Sequence, residues 1–253
     1  MNPVLQHSAA HAFVDSLDAP VLDDVDEHHL GRVLRLRPTD LVTLADGSGR
    51  WVCARWSADR GLEVRGQIEV VEGHIAWLTI GCAIPKGDRP EWIVQKLTEL
   101  GLDRIVFFET ARSVVRWDAT KRAQQIERLG RVAREAAMQS RRVRLPVVDV
   151  ISWSDAVRLP GVAIAEPDGR AGWWSSGVGE RSLAGFAELD GLEPAADRPM
   201  VQSVLIGPEG GFTDDELASC PDRVAVAAAI LRVETAALAA GVLMTTARRG
   251  AVS

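Results

Sequence analysis

Hydrophobic and polar positions change their period near residue 75. Before it, apolar residues alternate with polar ones in short runs, AFVDSL at 12–17 and DLVTLADGSGRWVCARW at 40–56, the period of half-buried strands. Asp46-Gly47-Ser48-Gly49 separates two such runs and predicts a hairpin turn. Between the runs, EHHLGRVLRL at 27–36 has helical spacing, with Leu30, Val33 and Leu34 on one face and His28, Arg32 and Arg35 opposite. From about Val70 to Trp77 onward, strand-like runs (LTIGCAI, RIVFFE, GVAIAE, VQSVLIG, RVAVAA) alternate with helix-like ones (RPEWIVQKLTELG, a stretch near 120–140, VETAALAAGVLMTT). Alternation of this kind predicts a parallel sheet covered by helices. Two domains are therefore expected, a small β-rich one over 1–73 and an α/β one over 74–253.

Local signals sharpen several elements. Pro90 follows Asp88 and Gly101 follows Leu100, the favoured places for a helix start and stop. In the 120–140 helix, Ile126, Leu129, Ala133 and Ala137 fall on the core side, while Arg128 and Arg131 point outward beside Glu135. The last helix is dominated by small residues, which suits close packing inside the domain or against another subunit. The run Val201 to Ile206 ends at Gly207-Pro208-Glu209-Gly210-Gly211, and Thr213 and Glu216 then stand at capping-box spacing. A strand, a glycine turn and a helix start form a ligand-binding geometry in open α/β sheets, and equally an ordinary tight turn.

Composition narrows the classes. At 253 residues, 47% hydrophobic and 25% charged, the chain has the profile of a globular protein with a sizeable core. No apolar run approaches the roughly 20 residues that span a bilayer, and MNPVLQHSAAHAF lacks the pattern of a signal peptide, so no membrane association and a cytoplasmic location are expected. Cys53, Cys82 and Cys220 are too scattered for a disulfide framework and read as buried thiols. The histidines form no metal-ligand set, so no metal is expected; His7 and His11, at i, i+4 spacing, read as solvated surface near a frayed terminus. Net charge is −6, yet ten basic residues stand against three acids between Arg112 and Arg144. That zone, including Arg128, Arg131, Arg141 and Arg142, together with His28, Arg32 and Arg35, is the candidate surface for a nucleic-acid phosphate backbone; solvated surface is the competing reading. Glu180 to Asp197 reads as a surface connection.

The glycine turn matches neither GxxxxGK[ST] nor the GxGxxG fingerprint, which disfavours a nicotinamide oxidoreductase. Glu209 inside it repels a polyphosphate, so a cationic or neutral ligand fits better.

LIGPEGGFTDDEL, ILRVETAAL, KGDRPEWIVQKLTELG, ARSVVRW and EAAMQSRRVRLP occur in one chain, and in their order they resemble the family of small-subunit ribosomal RNA methyltransferases that methylate N3 of a uridine in 16S RNA. HHLGRVLRLRPTD and the ADGSG turn extend the resemblance over nearly the whole length. The resemblance implies an α/β fold: a C-terminal trefoil-knotted, parallel-sheet methyltransferase domain of the SPOUT class behind a small N-terminal PUA-like β-barrel. It implies S-adenosylmethionine as cofactor, 16S rRNA or the assembled small subunit as partner, and a homodimer. The cofactor pocket it implies is formed by Leu205, Gly207, Pro208, Glu209, Gly210 and Gly211 with Ile230, Leu231, Arg232, Glu234 and Thr235. A non-catalytic RNA-binding or assembly protein on the same fold is the alternative.

Methylating uracil N3 requires loss of its proton, so cations near the base help. Arg112 and Arg116 of ARSVVRW, Arg232 and Lys86 are the candidates, against ordinary ion pairs or phosphate contacts. Trp51, Trp56, Trp117 and Trp173-Trp174 could stack on a base, although packing is the stronger reading for each. The family usually shows Leu-Gly-x-Arg directly before ILR, where this chain has Val226, Ala227, Ala228 and Ala229. The lost glycine and cation predict a working but weakened cofactor site.

Overall fold

The computed structural model describes residues 2–28, 36–37, 40–57, 61–175 and 200–250. Two compact units result, one from Met1–Ile75 with Ala133–Leu145, the other from Ala76–Val132 with Pro146–Ser253.

In the first unit the alternating runs become β2 (Leu41–Ala45), β3 (Arg50–Ser57) and β4 (Gly61–Val70), paired antiparallel, with β1 (Ala10–Phe13) parallel to β2 at the edge. The expected hairpin turn is held by Asp46, whose Oδ1 accepts from the amides of Ser48 at 2.8 Å and Arg50 at 3.2 Å. Alternate residues bury on opposite faces: Val42, Leu44, Val52, Ala54 and Trp56 belong to one apolar cluster, Phe13, Ala45 and Trp51 to another with Ala137 and Val143. Two helices flank the sheet strands in sequence, α1 (Pro3–His7) and α2 (Asp24–His28). Of EHHLGRVLRL, only Glu27, His28 and Leu36 are described; Arg32 and Arg35 lie outside the described residues.

The N-terminus corrects one reading. Asn2 caps α1 by accepting from the Val4 amide at 2.8 Å, and His11 is not solvated but 2% exposed in β1. Its place in a strand whose four residues are all buried, not helical spacing, governs it. Its Nε2 donates to the Arg142 carbonyl at 2.9 Å, which makes Nδ1 the acceptor for the Thr43 hydroxyl at 2.9 Å. Burial pushes its pKa down to about 4, with the Arg142 carbonyl opposing and the Arg141 charge adding. As pH falls below the ordinary 6.5, the unfolded chain takes up a proton that the folded one refuses until about 4. Stability at this site is therefore complete above that window and is lost through it, by up to roughly 3 kcal/mol. Denaturant melts of wild type and His11→Gln between pH 7 and pH 4 should show the wild-type advantage shrinking toward acid; a constant difference refutes this assignment.

The second unit is a six-stranded parallel sheet, β10-β8-β9-β5-β6-β7, made of β5 (Thr79–Ala83), β6 (Arg104–Phe108), β7 (Val147–Val150), β8 (Val162–Arg170), β9 (Ser203–Ile206) and β10 (Arg223–Val224). Every residue of β5 and β9 is buried, as their continuous apolar runs require in a sheet covered on both faces. Its helices are α3 (Arg89–Leu100), α4 (Ala119–Gln139, shared with the first unit from Ala133), α5 (Trp153–Ala156), α6 (Asp214–Ser219) and α7 (Val233–Gly250). The small residues of α7 serve packing within the unit, since a Cβ on Gly241 would lie 2.8 Å from Leu97 of α3. Leu129, Ala133 and Ala137 of α4 are buried and Arg128, Arg131 and Glu135 exposed, as the periodicity predicts, while Ile126 is only half-buried. Cys82 and Cys220 are buried free thiols and Cys53 is partly exposed. Among the described residues, no helix is long and apolar enough to cross a membrane, and no group of three or more His, Cys, Asp or Glu is placed to hold a metal ion.

Candidate functional site

In β9-β5-β6, Cys82 pairs with Ile206 and Ala83 with Phe108, so three strands end together and three loops leave from one edge. They are 84–88 leading to α3, 109–118 leading to α4, and 207–213 leading to α6. Openings of this kind outside strand carboxyl ends are where α/β sheets bind ligands.

The glycine loop is a tight turn, closed by the Gly211 amide on the Pro208 carbonyl at 2.8 Å, with Gly211 at φ +69°. A left-handed residue is required there, which glycine adopts without a Cβ clash. Gly207 is needed for a different reason, because a Cβ there would meet the Phe212 ring at 2.8 to 3.1 Å. Phe212 is buried, its ring tilted against Trp153 at 5.2 Å. The turn then enters α6 through the expected capping box, Thr213 and Glu216 each bonding the other's amide.

Glu216 also reaches outside its helix. Its Oε1 accepts from the Ala111 amide at 2.8 Å and its Oε2 from Thr213 at 2.8 Å. Beside it, Arg112 Nη1 donates to the carbonyls of Gly210 and Phe212, both at 3.0 Å. The ARS segment and the glycine loop are thus bound together twice, and Arg112 braces the loop. Arg116 instead lies 3.2 Å from Glu109, whose other oxygen accepts from the Trp117 amide.

Sequence reasoning missed Arg89. Its Nη1 lies 3.1 Å from Glu209 and its Nε 3.5 Å from Glu234, so one guanidinium links the glycine loop to the start of α7. The signal available was the pairing of an arginine in KGDR with acids in GPEGG and RVET. The second carboxylate oxygen of Glu234 is buried without a hydrogen-bond partner, an acceptor aimed at no protein donor. Arg232 and Thr235 are exposed, Leu231 is half-buried, and Ile230 is 90% exposed. The stretch before them is pinned at Ala225, which donates to the Arg170 carbonyl and accepts from Trp173 Nε1, both at 3.0 Å. Ala228 and Ala229 then run exposed. Leu205 and Pro208 are buried, Leu205 fully so within the core, so Leu205 meets a ligand only through its backbone.

The remaining candidates are divided between the two units. Arg128 binds Glu91 at 3.0 Å and Arg131 lies 3.9 Å from Glu127, both in the second unit. Arg141 and Arg142 belong to the first; Arg141 donates to the Ser8 carbonyl at 3.0 Å, and the Arg142 carbonyl holds His11. His28 is exposed at the end of α2. Trp51, Trp56, Trp117 and Trp173 are buried; Trp174 sets its edge against Trp173. The tryptophans with open faces are Trp77 and Trp92.

Residues 72–245 match the family model for an RNA methyltransferase domain. The ribosomal RNA small subunit methyltransferase E of Mycobacterium bovis is 32% identical, with 90% of this chain and 88% of that protein aligned. Its Bacillus subtilis counterpart is 34% identical over 87% and 88%. Among solved structures, a ribosomal RNA small subunit methyltransferase E from Neisseria gonorrhoeae, bound to S-adenosyl methionine, superposes with a TM-score of 0.70 at 25% identity over 94% of this chain and 97% of that one. A probable rRNA-methyltransferase from Porphyromonas gingivalis does so with 0.71 at 27% identity, over 95% and 98%. With its family domain matched over most of its length and its relatives aligned almost end to end, the chain belongs to the RNA methyltransferase family of these small-subunit enzymes.

Proposed function

We propose that this chain transfers a methyl group from S-adenosylmethionine to N3 of a uridine in 16S rRNA. The observation that carries the proposal is the glycine loop at the carboxyl end of β9, linked by Arg89 to the start of α7, in a chain of this family. The residues present fit the cofactor. Gly210 and Gly211 leave the loop backbone bare, and the unpartnered oxygen of Glu234 is an acceptor for an ammonium or a ribose hydroxyl. Arg89 neutralises Glu209 and Glu234 in part, so the site is not a bare acidic cluster. When bound, the cofactor supplies an electrophilic methyl.

The chain's own part is positioning and charge. Loss of the N3 proton leaves negative charge on the uracil oxygens, which Arg116 and Arg232, both exposed at this edge, can stabilise. Arg112 acts through the loop it braces. The first unit, with His28, Arg141 and Arg142, serves RNA binding, and so do the exposed cations Arg128 and Arg131 of the second. A homodimer completes the reading; the exposed Ile230 beside Arg232 supports it as an apolar side chain suited to cover by cofactor or a second copy.

The test is incubation with small-subunit RNA or assembled subunits and labelled cofactor, followed by nucleoside analysis. N3-methyluridine is the expected product. A methyl group on another atom or base rejects the uridine-N3 chemistry, and RNA binding without cofactor binding favours the non-catalytic alternative.

A further inference from the structure

Two of the three loops at this edge, 84–88 and 109–118, also line a cavity beside the first turn of α3. Lys121, Gln125 and Arg128 recur at helical spacing on one face of α4 and line a cavity of about 360 Å³ together with Lys86, Glu91 and Trp117. Glu91 Oε1 accepts from Arg128 Nε at 3.0 Å, while its Oε2 is buried and has no hydrogen-bond partner. Lys86 and Lys121 are exposed, and among the described residues neither forms an ion pair. The cavity therefore offers two unpaired cations, a carboxylate whose charge Arg128 already balances, a free acceptor, and an apolar wall at the buried Trp117.

Each feature selects a part of the ligand. Unpaired ammonium groups suit a phosphate. A buried acceptor without a partner calls for a neutral N–H or O–H donor. The apolar wall and the volume suit a flat ring, and small-ligand sites begin at about 300 Å³. Free phosphate lacks the ring, and a free nucleobase lacks the anion. A ribonucleotide has all three parts. The cavity also adjoins the site described above, since Glu91 follows by two residues the Arg89 that binds Glu209.

We propose that this cavity seats one nucleotide of the RNA substrate, its phosphate between Lys86 and Lys121 and one of its donors, a base N–H or the ribose 2′-hydroxyl, on Glu91 Oε2. The assignment rests on the RNA methyltransferase reading, and it makes Lys86, Glu91 and Lys121 residues that position RNA.

The experiment is calorimetric titration of the full chain, without cofactor, using uridine 5′-monophosphate. Uridine and inorganic phosphate alone should each bind at least about fivefold more weakly. Lys86→Ala, Lys121→Ala and Glu91→Gln should each weaken the nucleotide about fivefold to tenfold, the last by setting an amide donor where an acceptor stood. The 2′-deoxy and N3-methyl analogues identify the donor: loss with the first assigns the sugar, loss with the second the base. Equal binding of both analogues and the parent overturns the Glu91 contact. Equal affinity for phosphate and the nucleotide, or unchanged affinity in all three variants, overturns the site. Failure of the function is separable: a wild type that binds the nucleotide but never methylates RNA sinks the reaction and leaves the cavity standing. A wild type that methylates RNA, with the three variants unchanged in KM for RNA, does the reverse.

Discussion

Replacing Gly207 by alanine is expected to weaken S-adenosylmethionine binding at least about tenfold and to lower Tm by several degrees. The added methyl would lie 2.8 to 3.1 Å from three atoms of the Phe212 ring, closer than carbon contacts allow. Phe212 has no free space to retreat into, being buried against Trp153 in the cluster that also holds Phe108 and Leu205. Overpacking of this kind costs about 1 to 3 kcal/mol, and in a chain of this size each kcal/mol moves Tm by about 2 to 4 °C. The backbone of the loop must shift instead, and the loop is the part that meets the cofactor.

Gly210→Ala provides the contrast. A Cβ there makes only ordinary contact, 3.5 Å from Arg112 Cβ, so its Tm should stay near wild type. Loss of cofactor binding in Gly210→Ala without loss of stability is the expected result where the ligand lies against the loop backbone. Calorimetric titration and thermal melts of the two variants test both statements. Wild-type affinity in both would remove the loop from the cofactor site.

Several of these features could be read from the chain. The period change near residue 75, the continuous apolar runs of β5 and β9, the capping box at Thr213 and the outward face of α4 are local facts, fixed by neighbours in sequence. His11 was misread because two periods compete over a short stretch: the same spacing from His7 fits a helix face, but a capped turn ends at His7 and a strand begins at Ala10. The packing of Ala133–Leu145 with the N-terminal unit follows from contacts distant in sequence, which periodicity does not show. The same holds for Arg89. Its partners lie 120 and 145 residues away, and only the sheet order, which sets β9 next to β5, brings them within reach. The roles of Arg112 and Arg116 also separate only in three dimensions, one on loop carbonyls and the other on Glu109.

Removing Glu216 should cost more than removing any exposed charge at this edge. The carboxylate is 8% exposed and accepts from two amides, Ala111 and Thr213, each at 2.8 Å. Glu216→Ala leaves both N–H groups without their acceptor, and hydrogen bonds to charged groups contribute roughly 1.5 to 3 kcal/mol each. Glu216→Gln keeps one acceptor and turns an amide donor toward the other N–H, so about half of that loss is expected. Arg112→Ala removes the second tie, its bonds to the Gly210 and Phe212 carbonyls; because those atoms lie at the surface and water can replace the guanidinium, the loss in stability should be smaller, about 1 kcal/mol. The two side chains hold the same pair of loops, so their effects should not add: once Glu216 is gone, the ARS segment is free to move and Arg112 no longer meets its carbonyls in register. A double-mutant cycle on unfolding free energy should give a coupling of about 0.5 to 2 kcal/mol, and the cycle on cofactor affinity should have the same sign. Additive losses would mean that the two loops are fixed independently, and that Arg112 faces the ligand on its own account.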